Sequence, residues 1–549
     1  MSRATLIEGI LIGLIFLIAL GANLYLQQNT PFWSDSSTNA NIMTQIAQSG
    51  EISSTEPYKL ATPDSPFPIL YPQLYFVLVA TLHQFIGPFA IKLVPSLSVA
   101  FLIVAIYILG KHICGHRVGL IASLVAIPAV IGVRGIEAEM SLFLLVVLSL
   151  LGFHLALRTG RKRWLLLAGI FAAGAVGMKQ EGWFAILFIV LATIIYAATE
   201  RNIWRKRLRD GLIAIAIAVV LFLPVLSYQF STTGYIFYIG ALPGPAAQAE
   251  EEVASWLGAE RYELNSAYME YHRDSGAISQ RRAEASPEGT IRLLNSFDNS
   301  SVGRDFLEGF FVLFLVFGAV YVFRDRNKTI MAVALSLALV AVIYMTLIHA
   351  RTYFSVMPLL AGVVFAYGLV RVGEGALSTR YRLRTVIQAV LGLIIISGVS
   401  IGAVTTYQDS LDRSVNSTPR QEEYREMGEW IDKELPQDAV ILTPRQNELA
   451  QYAHRQVIWI NPVGGTELYE ALNFGSDSQL ADIMDREGVS YIFVDQQWVG
   501  NPQRWVAYVA WGAVEGLEAS DSFERIFGTE RTDLYQLIGP GEQAKWQGT

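Results

Sequence analysis

Charge is scarce in this sequence: 16% of its 549 residues are Asp, Glu, Lys or Arg, where a soluble globular chain carries roughly 25%. Much of the chain therefore never faces water. Cysteine is rarer still. Cys114 is the only one, which excludes an internal disulfide framework and any zinc site built on thiolates. A basic excess is also missing, since 41 Lys and Arg stand against 48 Asp and Glu for a net charge of -7. The molecule as a whole offers no electrostatic footprint for nucleic acid, and no nucleic-acid partner is expected.

Hydrophobic residues make up 52% of the chain and recur in runs near 20 residues, about the length that crosses a hydrocarbon core. About eleven such segments stand near residues 5–26, 90–110, 118–133, 140–157, 164–178, 182–198, 211–229, 308–323, 329–348, 353–370 and 385–404. The first run is longer than a signal-peptide core and more runs follow it, so it is read as a retained span. The segment Leu74–Ile86 is too short to span and carries His83 and Gln84. It is expected to lie at the interface or to re-enter.

Basic residues alternate along the chain in a way that fixes sidedness. The connections KHICGHR (111–117), RTGRKR (158–163), ERNIWRKRLRD (200–210), RDRNK (324–328) and RVGEGALSTRYRLR (371–384) are all short and basic, the mark of cytoplasmic loops. The opposite connections are long or acidic: a loop at 27–89, short turns at 134–139, 179–181 and 349–352, a loop at 230–307, and the C-terminal region. That region is compositionally distinct. Glu422–Leu435 reads as an amphipathic helix, Ala439–Thr443, Val457–Ile460 and Ser490–Val494 as strands, and Ser478–Glu487 as a helix. The alternation predicts a small extracytoplasmic α/β domain over 406–549, after a transmembrane domain over 1–405. It contains neither a glycine-rich phosphate loop nor a nucleophile elbow.

The outer connections hold the residues that could carry chemistry. Asp35 follows the first span by a few residues, behind Phe32 and Trp33. A short helix over 36–50 is expected after it, with Ile42, Ile46 and Ala47 on one face. A carboxylate there could act as a base or orient an acceptor. It could equally cap the helix. Arg134, Glu137 and Glu139 share one outer turn, Lys179 and Glu181 a second, and His349, Arg351 and Tyr353 a third. Each charge alone reads as a salt bridge between helix ends or as a snorkelling side chain. Together, three cations have gathered where the positive-inside rule disfavours them, and a lipid phosphate at headgroup depth would balance them.

With these motifs in order, the chain resembles a GT-C glycosyltransferase of the protein O-mannosyltransferase and aminoarabinose-transferase type, similar to family 39. The resemblance covers roughly 1–405 and rests on FWSDSSTNANIMTQIAQSGEI with Asp35, FPILYPQLYFVLVATLHQFIG with Tyr71, RGIEAEMS, GMKQEGWF and HARTYFSVMP. Members often carry an acidic pair in the first loop, whereas Ser36 follows Asp35 here. The resemblance implies a polytopic GT-C protein of the cell membrane, active on its outer face. It implies a hexosyl or pentosyl transferase that takes its sugar from a polyprenyl- or dolichyl-phosphate carrier in the membrane lipid. The acceptor would be a protein, lipid or glycan, and the reaction would invert the sugar carbon. Asp35 would be the base, and Arg351, Lys179 and Arg134 would hold the donor phosphate. Glu137, Glu139, Glu181, His349, Tyr353 and Tyr71 would line the substrate site. A divalent cation, Mg or Mn, is compatible with the sequence and not required by it. Two rivals are a lipid-linked glycan ligase or polymerase, which differs in its oligosaccharide-diphosphate donor, and a transporter. A transporter would place its charges near the bilayer midplane and show repeated halves.

Overall fold

The computed structural model describes residues 3–29, 74–131, 138–179, 182–233, 315–343, 356–375, 381–443, 446–459, 475–496 and 511–538, with isolated positions at 40, 42–44, 46–48, 50, 313, 468, 471–472 and 499. The chain divides into two units: 1–30, 70–243 and 285–413 in the first, 31–69, 244–284 and 414–549 in the second.

The first unit is helical because apolar runs without water can satisfy their backbone groups only within a helix. Its elements are α1 (Arg3–Asn29), α2 (Leu74–Ile86), α3 (Phe89–Cys114), α4 (His116–Ile131), α5 (Glu139–Thr159), α6 (Lys162–Met178), α7 (Trp183–Thr199) and α8 (Trp204–Thr233). They continue as α9 (Leu315–Arg324), α10 (Lys328–Ile343), α11 (Val356–Gly375) and the start of α12 (Tyr381–Glu434). Within the described residues, each apolar segment read from the sequence overlaps one of these helices. Four stretches are long and apolar enough to cross a membrane among the described residues: Glu8–Gln28, Phe89–Cys114, Glu139–Thr159 and Arg201–Ser227. The expected short interfacial segment is a 13-residue helix with the bounds Leu74–Ile86.

Small residues set how closely these helices pack. A Cβ on Gly119 would meet the Tyr107 carbonyl oxygen at 2.5 Å, and one on Gly110 would meet the Gly119 Cα at 2.8 Å, so α3 and α4 cross backbone to backbone. Ser149 Oγ donates to the Ala168 carbonyl at 2.9 Å and Gly152 lies against Ala168, which joins α5 to α6. Such close approach gives the packing and hydrogen bonds that hold helices together in lipid, where apolar burial drives nothing.

The described parts of the five basic connections meet at one end of this bundle. Asn327 Nδ2 donates to the Ile113 carbonyl at 3.3 Å, and Arg158 Nη1 to the His112 carbonyl at 3.2 Å. Arg207 Nη1 donates to the Leu157 carbonyl at 2.9 Å and pairs with Glu200 at 2.7 Å, which Lys328 also reaches at 2.8 Å. Partial burial opposes ionisation of Glu200, but Lys328 and Arg207 outweigh it and hold the carboxyl below its ordinary range. Asp325 accepts from Arg371 Nε at 2.6 Å and from the Tyr367 hydroxyl at 2.7 Å.

In the second unit, the described residues from 40 to 48 are helical, with Ile42, Met43 and Ile46 buried. The C-terminal part is a five-stranded sheet of β1 (Val440–Thr443), β2 (Gln456–Trp459), β3 (Tyr491–Asp495), β4 (Phe523–Gly528) and β5 (Thr532–Leu537), ordered β2-β1-β3-β5-β4. The first three pair in parallel and the β4–β5 hairpin closes the far edge antiparallel. Strand alternation sends Ile441, Val457, Tyr491 and Phe493 against α12 and α13 (Gln446–Ala453). Leu442, Ile458, Ile492 and Val494 face α14 (Asp477–Arg486) and α15 (Trp511–Ala519) instead. The span expected at 385–404 and the helix expected at 422–435 are one helix, α12, whose residues 381–413 fall in the first unit and the rest in the second.

Arg455 closes the C-terminus of α12. Its side chain is 1% exposed; Nη2 donates to the Asp432 and Leu435 carbonyls at 2.7 and 2.9 Å, and Nε to the Pro436 carbonyl at 2.7 Å. A fixed cation thus meets the orphan carbonyls of a helix end. Hydrogen bonds from His454 and then Arg455 keep the Asp432 carboxyl below its ordinary range. Its support is therefore present above the unfolded carboxylate range and is lost as pH falls through the lower folded value. Arg455→Met strands the Asp432 and Leu435 carbonyls, while Pro436 keeps the Ala439 amide at 3.1 Å, and thermal unfolding should show a loss of about 2 kcal/mol. A shift smaller than 1 °C would contradict the capping role.

Candidate functional site

At the end of the bundle away from the basic loops, two turns bring a cation and a carboxylate together. α6 stops at Met178, and Lys179 follows in extended backbone, its amide donating to the Ala175 carbonyl at 3.2 Å. Gly182 then donates to the Lys179 carbonyl at 3.0 Å. A Cβ on Gly182 would meet the Ala175 carbonyl carbon at 2.1 Å, so only glycine lets this turn fold back so tightly onto the last turn of α6. Lys179 is thereby fixed at the helix end and does not trail into solvent.

Glu139 is the first residue of α5, where the helix N-terminus favours a negative charge. Its Oε1 pairs with Lys179 Nζ, and the two side chains are 14% and 21% exposed. The second oxygen, Oε2, is buried without a hydrogen-bond partner. The ion pair therefore satisfies one face of the carboxylate only.

Other polar groups gather nearby. Ser98 and Ser141 share a buried 2.8 Å hydrogen bond between α3 and α5, two residues into α5 from Glu139. Lys92, near the start of α3, reaches the Gln28 carbonyl at the end of α1 at 3.4 Å. Asn23 and Gln27, one turn apart on α1, are 0% and 2% exposed. A Cβ on Gly177 would touch Leu74 at 3.0 Å, which sets the start of α2 against the last turn of α6. The sequence reading did not single out Lys92, Asn23 or Gln27. Their signal is a polar residue inside a long apolar run, which at that depth faces protein and not lipid.

Of the residues nominated from sequence, Lys179 and Glu139 come together in this way. Asp35, Tyr71, Arg134, Glu137, Glu181, His349, Arg351 and Tyr353 lie outside the described residues, as do most of the outer loops 27–89 and 230–307. Among the described residues, no group of three His, Cys, Asp or Glu side chains is arranged to hold a metal ion.

Residues 69–228 match the family profile of dolichyl-phosphate-mannose-protein mannosyltransferases. That stretch runs from just before α2 to near the end of α8 and contains both Glu139 and Lys179. Most of the chain also superposes on solved structures. ArnT from Cupriavidus metallidurans, bound to undecaprenyl phosphate, aligns over 98% of this chain and 99% of its own at 11% identity with a TM-score of 0.56. The chain has the GT-C fold. An Archaeoglobus fulgidus oligosaccharyltransferase in complex with Zn and sulfate aligns over 88% of this chain and 68% of its own, at 15% identity and a TM-score of 0.58. AglB from the same organism, in complex with an inhibitory peptide and a dolichol-phosphate, aligns over 88% and 69% at 13% identity and a TM-score of 0.55. No curated protein sequence matches the chain.

The ion pair makes a specific prediction. Lys179→Met leaves Glu139 charged and half-buried, and should lower stability by on the order of 3 kcal/mol. Adding Glu139→Gln should recover much of that loss, because the stranded charge is gone. Thermal unfolding of the two single variants and the double variant in one detergent measures this, and strictly additive losses would rule out the pair.

Proposed function

We propose that this protein moves a sugar from a polyprenyl- or dolichyl-phosphate carrier to an acceptor at the membrane face that holds Lys179 and Glu139. One observation carries the reading: nearly the full length of the chain shares its fold with a transferase solved with undecaprenyl phosphate bound. The polarity of the bundle supports it. Five basic connections lie at one end, which the positive-inside rule assigns to the cytoplasm, and the Lys179–Glu139 pair lies at the other. The protein is then a multi-pass protein of the plasma membrane, with its site and residues 406–549 on the outer side.

In this reading Asp35 takes the proton of the acceptor hydroxyl or amine as it attacks the sugar carbon from the face opposite the phosphate. The configuration inverts and no sugar–enzyme bond forms. Charge develops on the departing lipid phosphate. Arg351, Lys179 and Arg134 stabilise it, with Arg351 suited to a two-pronged grip. Glu139 balances Lys179 and holds it at the height of the headgroup. Glu137, Glu181, His349, Tyr353 and Tyr71 line the space for sugar and acceptor. The polyprenyl tail remains in hydrocarbon, which is why the chemistry sits at the membrane surface.

A second reading, a ligase for lipid-linked oligosaccharides, draws on the likeness to AglB and its dolichol-phosphate. The donors separate the two. A lipid monophosphate sugar serves the first enzyme, and an oligosaccharide on a lipid diphosphate serves the second.

Asp35→Asn should abolish sugar transfer, with a melting temperature within about 1 °C of the parent. Asparagine caps a helix about as well as aspartate, so near-normal turnover would leave Asp35 a cap and not a base. Arg351→Lys should weaken binding of polyprenyl phosphate on the order of tenfold or more while the empty protein melts normally. Lower stability with unchanged lipid affinity would instead make Arg351 a structural ion-pair partner.

A further inference from the structure

The basic end of the bundle carries more charge than sidedness requires, and that charge is concentrated. The connections 158–163 and 200–210 hold nine cations against two carboxylates. One carboxylate, Asp210, is buried, and the other, Glu200, is already shared by Arg207 and Lys328. Arg158, Arg161, Lys162 and Arg163 are exposed on the first connection. Arg201, Arg205, Lys206 and Arg209 are exposed on the second.

The fold makes these one surface. α6 and α8 both begin at this end and pack tightly: a Cβ on Gly169 would meet the Ala214 carbonyl oxygen and Ile217 at 2.7 Å. The Lys206 ammonium lies so near the left-handed turn at Gly160 that a side chain there would touch it at 3.8 Å. Arg207, underneath, ties the second connection to the Leu157 carbonyl of the first at 2.9 Å.

Two features point to a lipid. Trp164 and Trp204 stand at the starts of α6 and α8, each with a neighbouring guanidinium over its ring, Arg163 at 5.3 Å and Arg205 at 5.4 Å. Tryptophan favours the headgroup level of a bilayer. Directly beyond them the surface turns apolar and exposed, with Leu166 and Ile170 on α6 and Leu212 and Ile213 on α8. A ligand lying there meets cations at one end and bare hydrocarbon-facing side chains at the other.

We propose that this face binds an anionic glycerolipid with two phosphates, of the cardiolipin type. One phosphate would sit by the α6 cations and one by the α8 cations, with the acyl chains running down the two helices. Paired basic helix ends suit a doubly charged headgroup better than a single one. The inference concerns the end of the bundle remote from Lys179 and does not rest on the transfer reading.

The test uses the full chain in detergent, titrated with tetraoleoyl cardiolipin, phosphatidylcholine and the chain-free cardiolipin headgroup. Retained lipid is counted by native mass spectrometry and melting temperature is followed alongside. Cardiolipin should be retained and should raise the melting temperature, and the effect should weaken with added salt. The variant Arg161→Gln/Arg163→Gln/Lys206→Gln should lose at least about tenfold in apparent affinity. Because these three side chains are exposed, its unliganded melting temperature should match the parent. The control Arg117→Gln/Arg324→Gln/Arg326→Gln, exposed at the same end, should bind as the parent does. The proposal is overturned if the first variant binds normally, if both variants lose affinity equally, or if phosphatidylcholine or the chain-free headgroup binds as tightly as cardiolipin.

Discussion

An ionised side chain in hydrocarbon has no water to solvate it, and the penalty is several kcal/mol unless a partner replaces that water. This constraint orders the first unit. Charges stand at the two ends of the helices and the middle is left to apolar and small residues. At one end the cations outnumber the acids, and each acid there with a described partner is engaged by a cation: Glu8 by Lys111, Glu200 by Arg207 and Lys328, Asp325 and Glu374 by Arg371. At the other end the balance is closer, and Lys179 is held by Glu139. A cation fixed at that depth beside Glu139 stands where an anionic headgroup can reach it. A lipid phosphate arrives at that depth with its tail already in the bilayer.

Close helix packing makes that placement rigid. Gly152 and Ser149 bring α5 onto α6, and Gly182 folds the Lys179 turn back on the last turn of α6. Glu139 and Lys179 are thus held by backbone contacts along the length of their helices, so little ordering remains to be done when an anion binds. The same device, at Gly169, brings the starts of α6 and α8 side by side and gathers the basic surface at the opposite end. One packing rule serves both ends.

Much of this was legible in the sequence because the relevant signals are strong and one-dimensional. Apolar runs located the helices, and the alternation of basic loops grouped five connections that the fold gathers at one end. The boundary read at residue 405 falls inside a single helix. Hydropathy changes sign there, but a helix can leave an apolar environment without ending, and α12 runs on to Glu434. The β4–β5 hairpin was missed because the reading followed the alternation of strands and helices, and two consecutive strands about the short turn Thr529–Arg531 break that alternation. In the site, Lys179 and Glu139 were read as turn charges, and the structure brings them together at the end of the bundle away from the basic loops. Their pairing depends on α5 and α6 being neighbours, which no local pattern states. Lys92, Asn23 and Gln27 escaped because an isolated polar residue in an apolar run has no motif.

The central claim is that a lipid phosphate binds at the Lys179 end of the bundle. A cryo-EM map of the full chain with polyprenyl phosphate tests it most directly. The account predicts phosphate density within hydrogen-bonding distance of Lys179, with the tail descending into the bilayer beside the helices. Phosphate density only among the basic loops at the opposite end, with the Lys179–Glu139 pair untouched, would contradict it.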